Sequence, residues 1–137
     1  MKKLVMEFEK GGTITAELLL DKAPKTCELI CDGLPHTDTM IHAMWAGEEI
    51  FFTGYPITEI PPLENPAKRF DNECALALVN NEAKAFCIFY GPSIPRASVD
   101  VDLTVTYFAT VIEKEQMVEI GKRIRRSGVE KVNISLL

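Results

Sequence analysis

Hydrophobic and polar residues alternate along the first part of the chain, and the period then changes. Every second residue is apolar from position 4 to 8 and again from 14 to 20, and Gly11 and Gly12 separate the two runs. A period of two is typical of strands with one buried face, so the pattern predicts a hairpin. Apolar residues then recur at helical spacing after Pro24, which predicts a helix over about 24–33 that docks on the sheet.

Further alternating segments and two short apolar runs predict six more strands, and apolar residues at helical spacing predict a second helix. The strands are expected at 40–46, 48–53, 74–79, 85–90, 102–111 and 132–136. The second helix, over about 114–126, is acidic at its start and basic at its end, as the helix macrodipole favours. Two stretches lack any period: the proline-rich segment Gly54–Asn72 and the short segment 91–96. We expect the longer one to be a surface loop that covers a site.

These elements predict a mainly β fold, a closed eight-stranded antiparallel β-barrel capped by two α-helices. Closure is expected because it pairs the edges of a strand-rich sheet more completely than any open arrangement. A chain of 137 residues is long enough for one hydrophobic core. We therefore expect a single domain over residues 1–137 and no second core.

Composition and charge limit the classes of partner and cofactor that are expected for this protein. A net charge of −5 offers no general attraction for phosphate backbones, so no nucleic acid partner is expected. No run approaches the about 18 apolar residues of a membrane span, and the first residues read as a strand rather than a signal peptide, which favours a cytoplasmic protein without a membrane partner. The four cysteines lack paired or histidine-matched spacing, which predicts no metal site, and no glycine-rich phosphate motif indicates a cofactor.

Both ends of the chain resemble the cyclophilin fold. The Gly-rich hairpin leads to an acidic residue and a Pro-Lys-Thr helix start within Asp21–Thr26, and Phe108–Glu113 with the helix and strand after it resembles the family's closing elements. The middle is shorter, and its His-Ala-Met-Trp-Ala-Gly-Glu-Glu segment at 42–49 is similar to a prokaryotic group of cyclophilin-like proteins of unknown function. The resemblance implies the barrel and a groove along the third strand.

The residues that serve prolyl isomerases in that groove are replaced here. The isomerase Phe-His-Arg segment matches Ile41-His42-Ala43, so the arginine is replaced by alanine, and two groove glutamines match Phe51 and Ala85. Lowering a rotation barrier of roughly 20 kcal/mol requires a group that polarises or desolvates the amide. Prolyl isomerase activity is therefore not expected, although it stays the first alternative. A non-catalytic homo-oligomeric interaction module is the second, because aromatic residues are enriched at interfaces as well as in pockets.

The candidate ligand-binding residues lie on the third, fourth and sixth strands and on the proline-rich loop. They are His42, Ala43, Trp45, Glu49, Phe51, Tyr55, Cys87 and Phe89. No catalytic residue is assigned. Adjacent residues in a strand point to opposite faces, so only one of Glu48 and Glu49 is expected to enter the groove. The ungapped match to the isomerases implies that it is Glu49, and an ordinary surface pair is the alternative. Trp45 fits either a pocket floor or the core, and Tyr55 and Arg96 fit a lid or an anchor.

Two of these residues have plainer interpretations. The sequence favours His42 as a core histidine whose hydrogen bonds are satisfied over a catalytic histidine, because no Ser, Cys or carboxylate stands at the spacing of a catalytic triad. Cys87 shows no adjacent base that would make it a nucleophile, so it is more readily a small buried residue.

The predicted function is the binding of a small-molecule ligand in the former peptide groove. Apolar residues replace the isomerase's polar ones there, while an aromatic wall and one carboxylate appear, which is typical of a ligand pocket. Desolvation by Trp45 and Phe51 is expected to raise the pKa of Glu49. The carboxylate would suit a cationic or hydrogen-bond-donating ligand. Whether the protein is an enzyme is left open by the sequence.

Overall fold

The computed structural model describes residues 2–137 and contains eleven strands and two α-helices in that range. The strands are β1 (Lys3–Phe8), β2 (Thr13–Leu18), β3 (His36–His42), β4 (Gly47–Phe52), β5 (Pro66–Ala67), β6 (Ala75–Leu78), β7 (Phe86–Ser93), β8 (Arg96–Ser98), β9 (Val101–Asp102), β10 (Val105–Val111) and β11 (Glu130–Leu136). The helices are α1 (Pro24–Asp32) and α2 (Lys114–Ser127), close to their predicted bounds. Neither helix combines the length and the hydropathy of a membrane-spanning helix.

Eight of the strands close into an antiparallel barrel. Neighbouring strands follow the order β2-β1-β11-β3-β4-β7-β6-β10, and β10 pairs again with β2. In the closing ladder Ala109 lies opposite Leu18 and Val111 lies opposite Ala16. Each barrel strand thus has a neighbour on both sides, which is how a barrel removes the exposed edges of a sheet. The predicted closed eight-stranded barrel with two helices is confirmed.

The barrel interior and the inner faces of the helices share the main hydrophobic core. Inward-facing residues of the strands alternate with outward-facing ones, as the period of two requires. They are buried together with Met117, Ile120 and Ile124 of α2 and with Ile30 of α1. Because α1 packs on β10 and α2 packs on β3, β4 and β7, the helices contact different parts of the barrel wall.

A second, smaller hydrophobic cluster lies on the outside of the barrel, where the sequence predicted none. It consists of Phe70, Ala75, Ala77, Val79, Ala85, Cys87, Phe89 and Val105. Strand β6 is buried on both faces, and so is most of β7. A short, continuous apolar run does not reveal by its period that both faces are covered, which is why this cluster was missed. Phe70 covers part of it by stacking on Phe89 with ring centroids 4.6 Å apart.

The third strand differs from its predicted bounds. It was expected at 40–46, but β3 begins at His36 and ends at His42, and residues 44–46 form a bend. The polar residues 36–39 become a strand because they pair with β11, where His36 lies opposite Ile134. Pairing with a distant strand overrides the turn-like local composition. The predicted strand 102–111 is likewise divided between β9 and β10.

The proline-rich segment 54–72 is fixed to the barrel beside α1. The Glu64 carboxylate accepts hydrogen bonds from the backbone N–H groups of Lys25 (3.2 Å) and Thr26 (2.7 Å), in the first turn of the helix. The helix has no side-chain cap of its own, so Glu64 takes that place. The Asn65 side chain also donates to the carbonyl of Tyr107 at 2.8 Å. These bonds hold the segment against α1 and β10.

A buried ion pair connects α2 to β11. The Glu130 side chain is fully buried and receives two hydrogen bonds from the Arg123 guanidinium, at 2.9 and 2.8 Å. The same guanidinium donates to the carbonyl of Gly11 in the β1–β2 turn, and the backbone N–H of Lys10 donates to Glu130. One charged pair therefore joins the helix, the last strand and the first hairpin.

We expect Arg123→Ala to lower the free energy of unfolding by about 3 kcal/mol, because it leaves the Glu130 carboxylate buried without its cation. The matched control is Arg69→Ala, which removes an exposed pair with Asp71 and should cost less than about 1 kcal/mol. Urea unfolding at neutral pH measures both variants. Equal effects of the two substitutions would show that the buried pair does not hold the helix in place.

Candidate functional site

A cavity of about 320 Å³ opens on the outer face of the barrel. Its floor is formed by outward-facing residues of β4 and β7, and its walls come from the bend after β3, the β6–β7 loop and the segment 95–103. The lining residues are Ile41, His42, Ala43, Met44, Trp45, Ala46, Glu49, Phe51, Thr53, Val79, Asn81, Ala83, Ala85, Cys87, Phe89, Pro95, Arg96, Ala97 and Leu103. Seven of the eight predicted ligand-binding residues are among them.

Small outward-facing side chains create the space. Across the strands, Phe51 lies opposite Cys87, and Cys87 lies opposite Ala77. In the next row Glu49 lies opposite Phe89. The short side chain at Cys87 leaves a depression between the larger aromatic residues of β4 and β7. The cavity is therefore a consequence of residue size on strands whose register is fixed by backbone pairing.

Glu49 is the buried carboxylic acid of the cavity floor. Only 6% of the residue is exposed, and among residues 2–137 no cation lies within ion-pair distance of its carboxylate. Burial raises the pKa of Glu49 from 4.5 to about 7, while the nearby Cys87 thiol opposes part of that rise. An acid with this pKa is able to gain or lose a proton near neutral pH.

Cys87 is a neutral thiol rather than an activated nucleophile. The residue is 1% exposed, and burial together with the neighbouring Glu49 carboxylate raises its pKa well above the ordinary value. A nucleophilic cysteine requires the opposite shift, which a nearby cation or helix N-terminus would supply. The plainer interpretation of Cys87 as a small buried residue agrees with this environment.

His42 has partners for both ring nitrogens. Its Nδ1 lies 2.8 Å from the carbonyl oxygen of Ala43, and its Nε2 lies 2.7 Å from the hydroxyl of Tyr90. The carbonyl can only accept, so Nδ1 carries a proton, and Nε2 is engaged by the tyrosine hydroxyl. Tyr90 packs closely on α2, where a Cβ on Gly121 would lie 2.5 Å from the phenol ring. His42 is thus satisfied, as its plainer interpretation predicted, but it is half-buried in the barrel wall rather than part of the core, and one part of it borders the cavity.

Trp45 and Arg96 form the rim. Trp45 lies in the bend after β3 rather than on a strand, and it is 47% exposed, so the alternative that it belongs to the core is wrong. The Arg96 guanidinium donates to the carbonyl of Trp45 at 3.1 Å and to the carboxylate of Asp102 at 2.9 Å. Arg96 therefore anchors the β8–β9 hairpin to the bend, which is one of the two roles considered for it.

Tyr55 and the loop that carries it are not part of the site. Tyr55 is fully buried in the main core between Phe52 and Phe86, and its hydroxyl donates to the carbonyl of Ile30 on α1 at 2.6 Å. The prediction that it lines the ligand pocket is corrected. None of the residues 54–72 lines the cavity, because the loop is bound beside α1; the segment 95–103 occupies the expected position instead.

The sequence missed several residues of the rim and walls. They are Ile41, Met44, Ala46, Thr53, Val79, Asn81, Ala83, Pro95, Ala97 and Leu103. Most lie in loops and bends, whose positions have no periodic signal in the sequence. The available hint was Ala85, a small residue that matches a glutamine of the isomerase groove. Within residues 2–137 no three His, Cys, Asp or Glu residues lie together as metal ligands.

Known structures with the same fold differ widely from this chain in sequence. The structure described as McbB in complex with tryptophan superposes with a TM-score of 0.71 at 17% identity, over 96% of this chain. This chain spans only 44% of that protein's length. The solution structure of the hypothetical protein AF2241 from Archaeoglobus fulgidus superposes with a TM-score of 0.67 at 21% identity, over 98% of this chain and 93% of that one. These likenesses show the fold alone.

Sequence comparison gives a family without an assigned activity. No functionally curated protein matches the chain. The model of a protein family of unknown function, DUF3830, matches residues 7–136, nearly the whole length. The expectation of a family of unknown function is confirmed, while its relation to the cyclophilins stays a resemblance. The chain therefore belongs to the DUF3830 family.

Proposed function

We propose that this protein binds a small, largely apolar molecule in the outer cavity, with Glu49 as the polar group that orients it. The observation that carries the proposal is the burial of one carboxylic acid, without a cationic partner among residues 2–137, in the floor of an aromatic-walled cavity. Apolar walls with few polar groups are typical of small-molecule sites, and about 320 Å³ is at the lower end of their range. Molecules of one or two rings fit that volume.

Any chemistry at this site would be proton transfer by Glu49. The Cys87 thiol is neutral, and both nitrogens of His42 are engaged by Ala43 and Tyr90, so neither is free to act as an activated nucleophile or base. Glu49 has a pKa of about 7, which suits a general acid or base at physiological pH. Binding is the proposed function, and Glu49 is the residue on which any turnover would depend.

We expect indole to bind wild-type protein and Trp45→Ala to weaken that binding roughly tenfold, because the substitution removes one aromatic wall of the cavity. Indole is a suitable neutral probe because its two fused rings fit the cavity and one structural neighbour is described with tryptophan. Isothermal titration calorimetry measures the affinity. The matched control is Ile112→Ala, which truncates an equally exposed apolar residue outside the cavity. Loss of affinity in both variants, or in neither, would contradict the proposed site.

We expect Glu49→Gln to stabilise the protein more at pH 8 than at pH 4.5. Between pH 4.5 and about 7 the unfolded chain releases the Glu49 proton while the folded chain retains it, so wild-type stability falls as the pH rises. Above pH 7 both states are ionised and this contribution is constant. The wild type therefore loses about 3 kcal/mol of its free energy of unfolding as the pH rises through this range. The glutamine variant avoids this loss because its side chain has no proton to release.

Urea unfolding at pH 4.5, 6 and 8 measures this difference. Glu7→Gln is the matched control, because Glu7 is exposed on β1 and does not border the cavity. The difference in free energy of unfolding between Glu7→Gln and wild type should not change between pH 4.5 and 7 in the way expected for Glu49→Gln. A Glu49→Gln difference that stays constant over this range would show that the carboxyl is not desolvated in the folded protein.

A further inference from the structure

We propose that the ligand of the cavity is a compact organic cation, a planar amine or amidine, and that its binding expels the proton of Glu49. The inference rests on the proposed function and specifies the chemical class of the molecule that the cavity accepts. Three features carry it: the buried carboxyl without a cationic partner, the lack of a neutralising group among the other ionisable residues that border the cavity, and the aromatic residues of the lining.

The first feature is the charge of the floor. When Glu49 is ionised it has no cation within ion-pair distance among residues 2–137. A buried carboxylate normally has such a partner, as Glu130 has Arg123. The cavity beside Glu49 is therefore the place from which a positive charge can be supplied.

The second feature is the set of other ionisable groups that border the cavity. They are the Cys87 thiol from β7, His42 from β3 and Arg96 from β8. Cys87 stays neutral, and both ring nitrogens of His42 are bonded to Ala43 and Tyr90 rather than to Glu49. Arg96 is bound to Asp102 and to the Trp45 carbonyl. None of these groups neutralises Glu49, so that role is left to a ligand.

The third feature is the aromatic lining. Trp45, Phe51 and Phe89 all border the cavity. The faces of such rings carry partial negative charge and attract cations, most strongly where water is excluded. An anion would be repelled by the Glu49 carboxylate, whereas a cation would be attracted by that carboxylate and by the neighbouring aromatic rings. The walls and the floor thus favour the same sign of charge.

Binding is coupled to a proton because a cation prefers the ionised form of Glu49. The neutral carboxylic acid and the cation give an ion pair, and one proton leaves for the solvent. With a Glu49 pKa of about 7, little of the free protein is ionised at pH 5.5 and most of it is ionised at pH 8. The apparent dissociation constant therefore rises roughly 30-fold from pH 8 to pH 5.5, in proportion to the loss of the competent form.

Benzamidine, benzamide and benzoate test the charge preference, because they have nearly the same shape and differ in charge. Trp45 is the single tryptophan of the chain and borders the cavity, so its fluorescence reports occupancy directly. At pH 8 we expect benzamidine to bind at least about tenfold tighter than benzamide, with benzoate weakest, which corresponds to one charge interaction. Calorimetry in two buffers of different ionisation heat should show about one proton released per benzamidine at pH 6 and almost none at pH 8.5.

Glu49→Gln and Glu48→Gln form the matched pair of variants. Glu48 is the neighbouring carboxyl and does not border the cavity. We expect Glu49→Gln to reduce benzamidine affinity to that of benzamide and to abolish proton release, while Glu48→Gln retains both. Thermal unfolding of each variant confirms that it is folded before it is titrated.

The outcomes separate this inference from the proposed function. Benzamide or benzoate binding as tightly as benzamidine, or benzamidine binding that does not depend on pH, would overturn the cationic class. Binding of indole without binding of benzamidine would also overturn the cationic class, but it would support the proposed binding site. If neither benzamidine nor indole binds at millimolar concentration, the proposed site and the ligand class are both wrong.

Discussion

The pairing of β2 with β10 is the constraint on which the rest of the molecule depends. It closes the barrel, so that one face of each barrel strand points to the interior and the other points outward. The interior is filled by the main core. The outward faces of β6 and β7 are apolar as well, so they require a cover from loops, and that cover is incomplete. The cavity is the part of this outer surface that the loops border without filling.

The two buried glutamates of the described residues, Glu130 and Glu49, have very different surroundings. Glu130 is held by two hydrogen bonds from Arg123 and one from the Lys10 backbone, and it joins three elements of the fold. Glu49 is almost as deeply buried but has only a thiol beside it. The first arrangement stabilises the structure, whereas the second costs stability in its ionised form. Buried ionisable groups that lack an oppositely charged partner are concentrated at functional sites.

The rim of the cavity depends on contacts between segments that are distant in the chain. Arg96 joins the bend that carries Trp45 to the β8–β9 hairpin, and Phe70 of the proline-rich segment stacks on Phe89 at the edge of the floor. The floor belongs to paired strands of the barrel, while the rim belongs to loops. A floor of paired strands with a rim built from loops is a common arrangement for sites whose specificity changes among proteins of one fold.

The barrel and both helices could be predicted from the residue pattern, whereas the position of the groove came from the resemblance to the cyclophilin fold. Within that groove, the period of two places Glu49 and Phe51 on one face of a strand, and Cys87 and Phe89 on one face of its neighbour. Which loop borders the floor could not be predicted, because aperiodic segments are positioned by long-range bonds such as that of Glu64 to the first turn of α1. The same bonds hold the middle of the 54–72 loop beside α1, while its Tyr55 lies in the core and its Phe70 covers only the outer cluster at the edge of the floor, so no residue of the loop lines the cavity.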